Sequence, residues 1–166
     1  MTQTATKPSM EDFNARYKAE GEAATKFASD NKLELKKVKI FMPGSQETIC
    51  FTADIHANGK KVGYAENDGH GGCTMARTDR GNDLDNSPLL ERWIDDVVNE
   101  EVNTKELAKT ISKIKSATKR KGYKALAYHA GDEGNIAYTQ FGTADPTYIQ
   151  KYLDGKGYKG WTVVTF

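Results

Sequence analysis

The sequence predicts an α+β fold with a mainly antiparallel sheet, an N-terminal helix, a central helix pair and a C-terminal β-β-α-β unit. Three observations carry this. Apolar residues alternate between Leu33 and Ile55 and again after Leu126, the period of half-buried strands. Helical spacing dominates residues 88–121 instead. Between two alternating runs lies Asn58-Gly59, a pair suited to a type I′ hairpin turn. Strands, then helices, then strands again give an α+β order and not the alternation of a parallel dinucleotide-binding sheet.

Residues 1–9 are polar, lack the apolar core of a secretory signal, and are expected to form a disordered tail. Ser9, followed by Glu11 and Asp12, is a helix start with acids where the helix dipole favours them. Phe13, Tyr17, Ala24 and Phe27 share one face of a helix expected over residues 10–30, a narrow stripe suited to a lid on a sheet. A strand follows from Leu33 and stops at Pro43-Gly44. The next places Ile49, Phe51, Ala53 and Ile55 on one face and Cys50, Thr52, Asp54 and His56 on the other. Counting back from the Asn58-Gly59 turn sets His56 against Lys61, Ile55 against Val62, Ala53 against Tyr64 and Cys50 against Asn67.

A further short strand is expected around Cys73–Arg77, then a polar connector from Asp79 to Asn86. Ser87-Pro88 opens a helix whose apolar face is Leu90, Trp93, Ile94, Val97 and Val98. Asn103 and Glu106 resemble a capping box that opens a second helix, as an αα-hairpin or one kinked helix. In the last third, Gly131–Gly134 makes a turn between two strands. Asp145-Pro146 starts a helix, and Trp161–Phe166 forms a final strand. The late aromatics, Tyr123 to Trp161, are expected in the core.

At 166 residues the chain is expected to form one domain over residues 10–166, with a possible subdivision near 79–86. With no apolar run of about 18 residues, no membrane span is expected. Two cysteines are too few for a disulfide scaffold, which points to the reducing cytoplasm.

Glu66–Cys73 is the densest group of special residues, with three glycines in four positions beside Asp68 and His70. Asn67, Asp68, Gly69, His70, Gly71 and Gly72 are the candidate ligand site. Glycine amides can cradle the phosphate of a nucleotide or similar ligand, and Asp68 with His70 could serve a small hydrolase. Against this stands ordinary Asn-Asp-Gly turn chemistry, and neither phosphate-binding glycine pattern is matched. Cys50, His70 and Cys73 are the right types for a metal or a thiolate–imidazolium pair. His56 is excluded, since it lies about 20 Å along the strand from Cys50. No cofactor, metal site or catalytic residue is assigned, and an enzyme is the less expected outcome.

Charge is segregated although the net charge is only +1. From Asp79 to Glu101 there are eight acids against two arginines; from Thr104 to Lys124, eight bases against one glutamate. Lys105, Lys109 and Lys113 recur at helical spacing and are the candidate partner-binding stripe, suited to nucleic acid or an acidic protein surface. A solvated helix face is the plainer account of the same pattern.

Asn58-Gly59-Lys60-Lys61-Val62-Gly63, followed by Asn67-Asp68-Gly69-His70-Gly71-Gly72-Cys73, resembles a hairpin and Asn-Asp-Gly-x-Gly-Gly turn found in small uncharacterised proteins of phages and bacteria. The resemblance covers about a third of the chain and carries no catalytic residues. What it implies is a phage-encoded cytoplasmic protein that interferes with a host protein or nucleoprotein. The functional expectation is therefore a non-catalytic intracellular binding protein.

Overall fold

The computed structural model describes residues 9–79, 84, 87–131 and 135–166. The expected N-terminal tail except Ser9, most of the 79–86 connector and residues 132–134 of the expected turn lie outside these residues. The chain divides into two compact units, Met1–Glu100 and Glu101–Phe166. The division falls inside a helix and not in the 79–86 segment.

In the first unit, α1 (Met10–Asp30) starts at a capping box, in which Asp12 N–H donates to the Ser9 side chain and Ser9 N–H to the Asp12 carboxylate. The strands β1 (Leu33–Ile40), β2 (Phe51–Ala57), β3 (Lys60–Asn67) and β4 (Met75–Thr78) follow, with a 3-10 turn at Met42–Gly44. They form one antiparallel sheet in that order. Asn58 and Gly59 both take positive φ, as the expected turn requires.

The register departs from the turn count after two pairs. Ala57 faces Lys60 and His56 faces Lys61, but Ile55 then faces Gly63, Ala53 faces Ala65 and Phe51 faces Asn67. Val62 is an extra residue, a β-bulge, and its carbonyl accepts from Asp79 N–H at 2.8 Å. The physical reason lies in what each register buries. Without the bulge, Tyr64 and Glu66 would share the inner face with Ala53 and Phe51, sinking a carboxylate into the core. With it, Gly63, Ala65 and Asn67 turn inward while Tyr64 stays exposed.

The core of this unit joins Phe51, Ala53, Ile55 and Ala65 of the sheet to Ala28 of α1, Leu84, and Leu90, Ile94 and Val98 of α2 (Pro88–Arg120). The last three sit four residues apart, on one helix face. Of the expected α1 stripe only Ala24 is buried and Phe27 partly so, and Ala28, outside that stripe, is buried beside them. Phe13 and Tyr17 are exposed and stack on each other, and the Arg92 guanidinium lies 3.7 Å from the Tyr17 ring centroid.

The expected central helix pair is one continuous helix of 33 residues. Asn103 and Glu106 do not cap a second one. Between Pro88 and Gly122 no proline or glycine interrupts the chain, and an asparagine inside a helix costs only a few tenths of a kcal/mol. A Schellman closure ends it, with Gly122 and Tyr123 N–H donating to the Lys119 and Thr118 carbonyls.

The second unit contains β5 (Ala125–Ala130), β6 (Ile136–Phe141), α3 (Pro146–Gly155) and β7 (Thr162–Thr165), in the expected β-β-α-β order. The sheet order is β6-β5-β7, all antiparallel. Asp145 caps α3 by accepting from Thr147 N–H at 2.9 Å. Ile149 and Leu153 of α3 pack on Ala125, Ala127 and Phe141, with Trp161 alongside. On the other face of this sheet, the Gln140 amide donates to the buried Thr118 of α2 at 2.7 Å. The late aromatics expected in the core divide: Phe141 is buried and Trp161 packs beside it, but most of the tyrosines are not inside. Tyr123, Tyr138, Tyr148, Tyr152 and Tyr158 are all exposed, because alanines on β5 leave only a thin layer to fill. Among the described residues no helix is long and apolar enough to cross a membrane.

The bulge makes Gly63 a test of the register. A Cβ on Gly63 would overlap the Arg77 carbonyl and come 2.8 Å from the Thr78 Cα, pushing β4 off the sheet. Gly63→Ala is expected to destabilise by about 1–3 kcal/mol, read as a lower urea midpoint. An unchanged midpoint would contradict this pairing of β3 with β4.

Candidate functional site

The glycine loop follows directly from β3, and its conformation is set by Asn67. Because the bulge turns this residue inward, its side chain is buried at 8% exposure and must find partners. It finds four. The Asn67 carbonyl oxygen accepts from the Thr48 hydroxyl and from Gly69 N–H, both at 2.8 Å. The Asn67 amide donates to the Gly72 carbonyl at 3.1 Å and to the Thr74 hydroxyl at 3.3 Å. The hydrogen-bonding capacity of the group is fully used.

The segment facing the loop closes on it. Gln46, Glu47 and Thr48 N–H groups converge on the Gly69 carbonyl at 2.9, 3.1 and 3.4 Å. Such convergent amides suit an anion, and here the loop's own oxygen fills that place. Gly69 has φ +85°, and an added Cβ would meet the Gly44 carbonyl and lie 2.9 Å from the Cys50 Cβ. Glycine is required there on both counts. Gly71 N–H donates to the Thr48 hydroxyl at 3.3 Å, and His70 N–H to the Asp68 carboxylate at 3.0 Å. The amides of residues 69, 70 and 71 are thus committed within the fold.

Of the sequence-predicted residues, Asn67 is a buried structural pin, while Asp68 and His70 point to solvent with 77% and 60% of their side chains exposed. Asp68 forms an Asx turn. The expected position of Cys50 opposite Asn67 passes to Phe51, although Cys50 still packs beside Gly69. Both cysteines are free and line a hollow of about 520 Å³ that includes Asp68 and Glu66 but not His70. Among the described residues no three His, Cys, Asp or Glu side chains gather closely enough to hold a metal ion.

A second hollow, of about 610 Å³, is walled by Thr48, Asn67 and Thr74 from the sheet end and by Tyr17, Arg92 and Asp95 from the helices. Of these six, only Asn67 stands among the site residues expected from the sequence. Thr74 donates its hydroxyl to Asp95, tying the loop to α2. Burial pushes the Asp95 carboxyl above the usual carboxylate range, and the Thr74 bond opposes this in part. Arg92 holds both oxygens of Asp96 at 3.0 Å. Only this last pair, four residues apart on a helix, leaves a trace in the sequence.

Lys105, Lys109 and Lys113 lie exposed on successive turns of α2, as their spacing predicts. Lys105 contacts Glu101 at 2.6 Å, while Lys109 and Lys113 make no ion pair among the described residues.

Two outcomes test this geometry. Asn67→Ala leaves buried partners unsatisfied and is expected to destabilise by about 1–3 kcal/mol, whereas Asp68→Asn and His70→Ala should stay within about 0.5 kcal/mol of wild type. Chemical denaturation of the three variants measures this. Asp95 adds a pH dependence. Its folded pKa lies above the unfolded value, so its contribution is complete below about pH 3.9 and is lost as pH rises through the folded pKa. Asp95→Asn keeps an acceptor for Thr74 but cannot ionise. It should therefore melt above wild type at neutral pH, with the gap closing below about pH 4. A gap that is constant with pH would refute the assignment. No family model, no curated protein and no solved structure matches this chain, so its site is defined by its own geometry.

Proposed function

We propose that this chain is a non-catalytic binding protein that docks an acidic surface of a protein or nucleoprotein through Lys105, Lys109 and Lys113. The observation that carries the reading is the exposure of these three ammonium groups on one helix face, two of them without a carboxylate among the described residues. The Lys105–Glu101 pair is exposed and worth little, so a partner carboxylate or phosphate can replace it. Lys119 and Arg120 in the last turn extend the cationic field. The non-catalytic part of the reading is supported by the loop, where Asp68 serves a turn and His70 is exposed to solvent and does not line the hollow that the cysteines share. Two free cysteines suit a cytoplasmic setting. There a phage-borne binder would act as an inhibitor of a host component.

Charge reversal tests the reading. With duplex DNA as a polyanion probe, the Lys105→Glu/Lys109→Glu/Lys113→Glu variant is expected to bind at least about tenfold more weakly and to lose about three units of log–log salt slope. Affinity capture of cellular proteins by wild type and variant side by side gives the same comparison for a protein partner. Equal binding in both assays would remove these lysines from the interface.

A further inference from the structure

Sheet edges in this protein are treated unequally. β1, an edge of the first sheet, carries Lys36, Lys37 and Lys39 and is bulged between Lys36 and Lys39. Lys37 has φ +52° there. The other edge of that sheet, β4, is four residues long and carries Arg77. Charges, bulges and short length are the usual devices that stop a strand from pairing with another chain. β6, an edge of the second sheet, has none of them. Its six residues, Ile136–Phe141, are uncharged, free of proline and regular in register against β5 throughout. Half of the backbone groups of such a strand point away from the sheet.

We infer that β6 pairs antiparallel with β6 of a second copy of this chain, joining two three-stranded sheets into one of six strands. A two-fold axis normal to the sheet places residues of the same face opposite each other. Tyr138 then meets Tyr138 or Gln140 of the copy, and Ala137 meets Thr139 or Phe141. Every such pair is neutral, so the strand is complementary to itself in charge, which β1 is not. The surroundings supply contact area. Beside β6 runs a hollow of about 370 Å³, lined by Thr139, Phe141, Tyr148 and Tyr152 among others and by no charged side chain. The same axis brings the two α3 helices to one face, where the tyrosines of each copy cover this hollow. Tyr138, Tyr148 and Tyr152 are 51%, 55% and 37% exposed. They offer roughly 300 Å² per copy. With the strand backbone, this brings the pair near the roughly 1,000 Å² that a specific interface needs. β7, the opposite edge, is also uncharged but is four residues long.

Sedimentation equilibrium of the full chain from about 1 µM to about 1 mM should show the mass rising from one chain to two. Ala137→Lys and Tyr138→Lys alter exposed positions, so circular dichroism should match wild type, while the dimer weakens at least about tenfold. Mixing Tyr138→Lys with Tyr138→Glu should restore a dimer that neither variant forms alone. A wild-type chain that stays monomeric at the highest concentration overturns the inference, as does a dimer of undiminished strength in both lysine variants. Binding of an added strand-forming peptide to a chain that never self-associates would assign the edge to a partner chain and overturn it equally.

Discussion

One extra residue in a strand, Val62, decides which side chains the first sheet buries. The period of a strand is two, so a single insertion exchanges its faces beyond that point. The exchange keeps Glu66 out of the core, admits Ala65, and turns Asn67 inward. A buried amide must be satisfied, and the four partners of Asn67 belong to the glycine loop and to the strands and turns beside it. The bulge, the loop and the 44–49 segment therefore form one physical unit, and disturbing any part of it disturbs the rest.

This changes the meaning of the glycine-rich stretch. Glycines there permit close backbone approach, but the approach is made by the protein's own chain: three amides meet the Gly69 carbonyl, and Gly69 packs against Gly44 and Cys50. The side chains with chemical potential, Asp68 and His70, are left on the rim.

The charge segregation finds a local account in the continuity of α2. Acids populate its first half and bases its second, the arrangement that opposes the helix dipole at each end. This stabilises the helix and concentrates positive charge on the part that carries Lys105 to Arg120. The helix dipole alone thus gives these lysines a structural account.

Much of the architecture was legible locally. The caps at Ser9 and Asp145, the Asn58-Gly59 turn, the period-two strands and the Leu90–Val98 stripe depend on residues within a few positions of one another, and such signals survive without tertiary context. What the folded structure alone decided involves competition between distant groups. The turn count was correct for two pairs and then yielded to the cost of burying Glu66. Asn103 resembled a cap, but nothing nearby was strong enough to break the helix. Tyrosines expected inside were displaced by a layer of alanines too thin to take them. Thr74 and Asp95 met across 21 residues, a contact with no local trace. Sequence by itself determined the elements and their order, because these rest on short-range sterics and periodicity; register, burial and the site's partners were decided by which long-range arrangement leaves the fewest buried polar groups unpaired.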